Sequence, residues 1–286
     1  MSVFVAVGHQ GQRVTSADGL AWKNLQVGKE GEVYRAVAFG NGAHVAVGNF
    51  GGSNLFASTR DGAAWQVSGR DGQYKNFLRG LAFGNGTFLG IGGDPGAVGS
   101  SAPFVAFSED GVKWTDYLPI PGKHILRRAA WGNGRFVGVG DRGRRAASKD
   151  GKDWTDATAT KAVDTLVDVA FGAGKFVGVG LHGLRSVTED GLQWPHRFSG
   201  EEGEHINSVV WTGERFVAVG QGGTYFSPDG LEWTRKDNKD APLVATFGAG
   251  VFVGINWKGR ILTSTDAIEW KQVYKAEYHL EAISFG

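Results

Sequence analysis

Three arginines recur at one register of this chain. Arg35, Arg79 and Arg127 each stand four residues ahead of the aromatic that ends an apolar run, namely Phe39, Phe83 and Trp131. The same register elsewhere holds Val167, Asn207, Leu243 and Glu281. Guanidinium forks match the two oxygens of a carboxylate or phosphate, so three converging arginines would make an anion site. The same arginines could instead stay solvated and pair with Glu281 or Asp168, with no ligand at all. Asp94, Asp141, Asp168 and Glu281 supply oxygen donors of the kind Ca²⁺ takes. For metals, His9, His182 and His205 fall in loops of one face, but no two have ligand spacing within one element. There are no cysteines, which excludes disulfides and thiolate metal sites. A phosphate-binding loop, a nucleophile elbow and an interleaved aromatic-basic ladder for nucleic acid are also missing. The candidate binding set is therefore Arg35, Arg79, Arg127, Asn207, Glu281, Asp94, Asp141 and His182, with no catalytic residue and no metal ligand assigned.

What must position these residues is a repeat. The pattern [ST]-x-D-[GA]-x-x-W occurs seven times, starting at Ser16, Thr59, Ser108, Ser148, Thr188, Ser227 and Ser264. A period of roughly 40 residues marks a repeat architecture. Aligned on its Trp, each copy has four short apolar runs separated by turns. The first run ends in an aromatic, and in three copies Gly-Asn-Gly follows, a strong hairpin signal because both turn residues tolerate positive φ. The second is Phe-Val-Ala/Gly-Val-Gly, as in Phe136–Gly140; a third ends at the Ser/Thr, and the fourth carries the Trp. Four strands joined by short turns describe one blade of an antiparallel β-propeller, and no segment has helical periodicity long enough to compete. The chain holds 47 glycines, about twice the usual share, and their periodic placement fits many tight turns.

Counting fixes the closure. Trp131 to Trp154, Phe171 to Trp194 and Phe247 to Trp270 are each 23 residues apart. Phe285 has no Trp after it and Trp22 has no aromatic run before it, and joining the ends again gives 23. Residues 280–286 should then be the innermost strand of the blade completed by residues 3–26, with Met1-Ser2 standing where Asn-Gly would be. The expected fold is all-β, a single seven-bladed propeller domain over residues 1–286, closed by pairing of 280–286 with 3–8.

The sevenfold motif resembles the Asp-box of bacterial neuraminidase repeats, found in sialidases, sortilin-type receptors and related propellers. Its usual form is S-x-D-x-G-x-T-W; here Gly follows Asp directly, giving a turn one residue shorter. The resemblance implies a turn between third and fourth strands, on the face opposite the usual binding site, with Asp bonding backbone N–H groups and Trp packing between blades. Ala267, in place of glycine in the seventh copy, should weaken its turn. The resemblance also makes the three arginines comparable to the triad with which sialidases hold a carboxylate. Against that, the Arg-Ile-Pro strand of sialidases is missing, and the neighbourhood of Tyr34, Tyr278 and Glu281 is the nearest approach to their Tyr/Glu pair. Lactonases on propeller folds bind a divalent ion in the channel, the position the four carboxylates would occupy.

A site should therefore lie on the opposite face, formed by loops from second to third strands and by connections between blades. Two of these loops carry insertions, at Gly92–Ser101 in the third blade and Asn49–Asn54 in the second. The fourth blade is basic there (Lys123, His124, Arg127, Arg128, Arg142, Arg144, Arg145), and the fifth-to-sixth connection is acidic (Glu201, Glu202, Glu204). The whole chain has 30 basic and 29 acidic residues, so no global field favours nucleic acid or an anionic membrane. No apolar run approaches the ~18–20 residues that span a bilayer. Met1-Ser2-Val3-Phe4 leads straight into a repeat without signal-peptide features. That reads as cytoplasmic, although a trimmed leader would look the same, so the compartment stays open. The expectation is a monomeric, non-catalytic binding propeller that recognises carbohydrate, or an acidic group on a protein, at the upper channel mouth. No cofactor is called for beyond the Ca²⁺ considered above. A sialidase-like glycosidase or metal-dependent sugar lactonase is the alternative, and a bare scaffold the third.

Overall fold

Alternating Val, Ile, Phe and Ala between glycine-bearing turns leave only short strands open to this sequence, and short antiparallel strands are what form. The computed structural model describes residues 2–69, 77–94, 102–158, 160–201 and 203–286. They make seven four-stranded antiparallel sheets, each running in chain order from the innermost strand outward. The exception to chain order is blade one, where the C-terminal strand Leu280–Phe285 is innermost and Phe4–Gly8, Arg13–Ser16 and Trp22–Gln26 follow. Phe4 pairs with Phe285, and Val3 and Gly286 exchange both backbone hydrogen bonds, at 2.8 and 3.2 Å. The ring closes as a seven-bladed β-propeller, with the termini joined in a hairpin register.

The seven motifs form one repeated turn. In the first copy, Asp18 Oδ1 accepts from Leu20 and Ala21 N–H at 2.8 and 2.9 Å, while Ser16 Oγ accepts from Gly19 N–H at 2.9 Å. Trp22 Nε1 donates back to the Gly19 carbonyl at 3.3 Å. Ala267 adopts the same turn at φ 64° although it is not glycine. Its carbonyl accepts from Trp270 Nε1 at 3.0 Å and from Thr224 Oγ1 and Asn238 Nδ2 of blade six at 2.7 and 3.3 Å. Support from the neighbouring blade thus accompanies the one left-handed alanine among these turns.

Apolar faces of adjacent blades bury against one another, as where Phe56 of blade two stacks on Trp114 of blade three with centroids 4.6 Å apart. At the lower end of the innermost strands, the aromatic of six blades lies over a glycine of the blade before it; Phe247 of blade seven follows a blade with Thr212 at that position. A Cβ on Gly40, Gly84, Gly132 or Gly172 would fall 2.2 Å from Phe83, Trp131, Phe171 or Trp211. Gly248 and Gly286 stand in the same relation to Phe285 and Phe39. The extra residues of blade two lengthen a hairpin (Ala43–Phe50 with Ser53–Thr59) instead of forming a free loop. The blade-three insertion begins with an equally long strand, Thr87–Asp94, and its residues 95–101 lie outside the described residues.

Candidate functional site

The predicted register is a β-bulge. In blade two Tyr34 pairs with Gly48 and Ala36 with Val47, so Arg35 has no partner across the ladder. Arg79, Arg127, Val167, Asn207 and Glu281 are skipped in the same way in blades three, four, five, six and one. A bulge bends the strand and re-aims the extra side chain, here into the channel mouth. The bulge has a sequence signature, a glycine on the facing second strand. In the six bulged blades a second-strand glycine (Gly8, Gly48, Gly92, Gly140, Gly180 or Gly220) sits against the bulged backbone, and a Cβ on Gly92 would stand 2.1 Å from the Phe77 carbonyl oxygen. Blade seven has Asn256 at that position, and its inner ladder begins only at Val244, one residue past Leu243, with no register shift.

Six bulged residues and Leu243 line one cavity of about 430 Å³, together with Arg128, Val244, Ile255, Trp257, His279 and Leu280. Each has a counterpart 14 positions later, at the end of the second strand or in the connection that follows it. Arg127 forms a bidentate ion pair with Asp141, its Nη2 reaching Oδ2 at 3.0 Å. Arg35 Nε lies 3.5 Å from Asn49 Oδ1, and its Nη1 pairs with Glu281 Oε1 at 3.2 Å. The interval continues through the closure, where His9 Nε2 meets Glu281 Oε1 at 2.7 Å. In blade three the partner position is Gly93, which has no side chain to offer.

Arg79 is consequently the exception among the three arginines. Its Nε is buried without a hydrogen bond, and its guanidinium makes no ion pair among the described residues. Burial first, then the charges of Arg127 and Arg35, hold its pKa below the ordinary arginine value, while Asp141 and Asp94 pull the other way. The guanidinium remains charged in any case. Mutual repulsion among three cations is therefore relieved by Asp141 and Glu281 at two of them and only at a distance for the third.

One residue deeper, Arg128 and Asp168 tie the inner edges of the blades together. Arg128 Nη1 donates to the Arg79 and Arg127 carbonyls at 2.9 and 3.0 Å. Asp168 accepts from Val169 N–H at 3.0 Å and from Val209 N–H of the next blade at 2.9 Å. Burial raises the Asp168 pKa, against the Arg128 charge and these N–H bonds. Asp168 thus belongs with Arg128 and not with the mouth arginines.

Other expectations change with the geometry. His182 is exposed at φ 57°, the second residue of its loop, with its N–H 3.4 Å from His205 Nδ1, and it does not line the cavity. Asp94, Asp141, Asp168 and Glu281 do not gather, and no group of three or more His, Asp or Glu able to hold a metal occurs among the described residues. Tyr34 is wholly buried between blades, with the Arg13 guanidinium 5.6 Å from its ring centre, and burial pushes its pKa up to about 12. Neither Tyr34 nor Tyr278 has a hydrogen bond to Glu281 among the described residues, and Glu281 is instead engaged by His9 and Arg35. Much of the blade-four charge is internal: Arg144 is buried, donates to the Pro121 and His124 carbonyls and pairs with Asp156 at 3.1 Å. In the acidic connection Glu204 accepts from Tyr225 Oη, and Glu202 lies outside the described residues. Sequence reasoning missed Trp257, 64% exposed at the cavity rim and stacked on His279 with centroids 5.3 Å apart.

Solved structures share this fold at low sequence identity. A structure described as YCF48 bound to D1 peptide matches with a TM-score of 0.62 and 17% identity, over 85% of this chain and 82% of that one. YCF48 from Cyanidioschyzon merolae matches at 0.60 and 16%, over 86% and 87%. The WD40 β-propeller domain of Doa1 matches at 0.63 and 13%, over 87% and 85%. No protein-family model matches the chain. The search of curated proteins gives no match either.

Proposed function

We propose that this is a binding propeller without catalysis of its own, which takes an acidic group of a partner protein or peptide into the channel mouth. The observation that carries this reading is Arg79, a cation in the cavity wall whose in-blade partner position is glycine. A carboxylate there would supply the counter-charge that Asp141 gives Arg127. Peptide recognition within the same fold, in the YCF48 structure described with a D1 peptide, supports the choice of a protein partner. The sevenfold motif is read as a shortened Asp-box that builds the scaffold. Glu281 is engaged by both His9 and Arg35, which supports a structural role for it over that of a glycosidase carboxylate.

A peptide array tests this reading, with acidic sequences displayed beside copies in which every Asp and Glu is amidated. Wild type should prefer the acidic copies, and Arg79→Met should reduce that preference tenfold or more. Equal binding to both copies would sink the proposal, as would turnover of a fluorogenic sialoside or an aldonolactone that Glu281→Gln abolishes. Carbohydrate is a second reading, favoured by one observation. The exposed Trp257 ring could stack on a sugar face, and binding of neutral glycans lost in Trp257→Ala would select it.

A further inference from the structure

The channel mouth has two chemically different walls. Innermost strands adjoin in chain order around the ring, so blade three stands opposite blades six and seven. Arg79 thus faces, across the cavity, a wall made by Leu243, Val244, Ile255 and Trp257. In blade seven the pairing rule yields Leu243 with Trp257, where blade four has Arg127 with Asp141. The Trp257 ring is steadied by its stack on His279, lying nearly parallel at 16°.

Resting on the binding role proposed above, we infer that the acidic group is a chain-terminal carboxylate borne by a residue with an apolar or aromatic side chain. A terminal residue carries its carboxylate and its side chain on one Cα, so one residue reaches Arg79 and the Trp257 wall together. An internal Asp or Glu brings its carboxylate at the tip of its only side chain and leaves the apolar wall facing backbone. Size agrees, since about 430 Å³ is at the lower end of small-ligand pockets and ample for one large residue. The two interactions are complementary: the guanidinium selects charge, and the apolar wall gains by excluding water.

Fluorescence anisotropy on N-terminally labelled pentapeptides separates the contributions. The probes are Gly-Gly-Ser-Gly-Phe and Gly-Gly-Ser-Gly-Gly with free termini, the amide of the first, and the amide of Gly-Glu-Ser-Gly-Phe. The free Phe-terminated peptide should bind at least tenfold tighter than its amide and than the Gly-terminated peptide. Arg79→Met should erase the first difference and Trp257→Ala the second, with melting temperatures unchanged in both. Arg79→Lys, which keeps a charge, should retain part of the acid preference. Arg79-dependent binding of the internal-Glu amide, with no preference for a free terminus, would overturn the terminal carboxylate while leaving the acidic-group reading intact. Acid-independent binding throughout, or no binding of any probe, would overturn both. Free 3-phenylpropionate binding as tightly as the peptide would assign the site to a small acid instead of a chain terminus.

Discussion

Arg79 and Arg127 occupy equivalent bulges and differ mainly in what stands 14 residues later. Removing Asp141 should therefore make Arg127 resemble Arg79. Asp141→Ala is expected to strengthen binding of acidic peptides three- to tenfold and to steepen its salt dependence, because two uncompensated cations then face the mouth. Unchanged affinity would show that Asp141 is not what keeps Arg127 from ligands. A second single-residue expectation concerns His44, which replaces the second-strand Phe of other blades and packs on Phe39 with centroids 4.8 Å apart. It is 1% exposed, its Nδ1 lies 3.1 Å from Ser284 Oγ of the closing strand, and burial depresses its pKa from 6.5 to about 4. Below pH 6.5 the unfolded chain takes up a proton that the folded protein refuses until about pH 4. Stability should fall across that window by up to roughly 3 kcal/mol. Denaturant unfolding of His44→Phe between pH 4 and 6.5 should show this part of the slope removed, and an identical slope would refute the assignment. The arginine register was legible from residue types alone. Their pairing was not, because it depends on loop geometry that no composition signal carries, although the constant interval of 14 was there to be counted.

At the scale of elements, the bulge is what turns a repeated strand into a site. Gly140 is close to the Ile125 carbonyl, a Cβ there falling 2.1 Å from its oxygen. Gly140→Ala should thus force the bulge open and displace Arg127, at a cost of about 2–3 kcal/mol. A thermal melt within a degree of wild type would show that the backbone can yield. The Asp turns are held differently, by hydrogen bonds in place of close approach. Backbone N–H bonds are the largest influence at Asp18, Asp61, Asp150 and Asp229 and hold their carboxyl pKa values below the ordinary range. At Asp110, Asp190 and Asp266 burial pushes upward first, and the same kind of bond outweighs it. Depressed folded values mean a contribution present above the unfolded pKa near 4 and lost as pH falls below it. Asp150→Ala, which removes acceptors for Lys152 and Asp153 N–H at 2.8 and 3.0 Å, should cost about 1 kcal/mol at pH 7 and less at pH 2. Turn chemistry of this local kind was readable in the sequence, as S-x-D-G-x-x-W says where the bonds go. The bulge was not read, since its glycine also fits a plain strand end, and only Asn256 in blade seven marks the contrast.

For the whole molecule the decisive element is the seam between Leu280–Phe285 and Phe4–Gly8. Nothing covalent joins the two strands, yet they carry the same pairing as any inner hairpin of the ring, down to the Val3–Gly286 bonds. Phe285 fills the space over Gly248, and Phe39 the space over Gly286, so the closing strand packs with blades seven and two as well as with blade one. If closure is a matter of packing and register, moving the break should matter little. A circular permutant opened between Asn133 and Gly134, with Gly286 joined to Val3 through Asn-Gly, should fold with a melting temperature within a few degrees of wild type. Both cuts leave a hairpin that lacks only its turn. Deleting residues 280–286 should be far worse. It strips the inner edge of Phe4–Gly8, uncovers the aromatic girdle and removes Glu281, the anchor of both His9 and Arg35. An exposed strand edge of this kind pairs with other chains, so the truncated protein should elute as aggregate in size-exclusion chromatography. Were the truncation monomeric and the permutant unfolded, stability would depend on chain continuity at the Gly132–Gly134 turn and not on the seam. Restoring a synthetic 280–286 peptide to the truncated chain distinguishes the remaining cases. Rescue of the fold but not of acid-dependent binding by a Glu281→Ala peptide would separate what the strand does for the ring from what Glu281 does for the mouth.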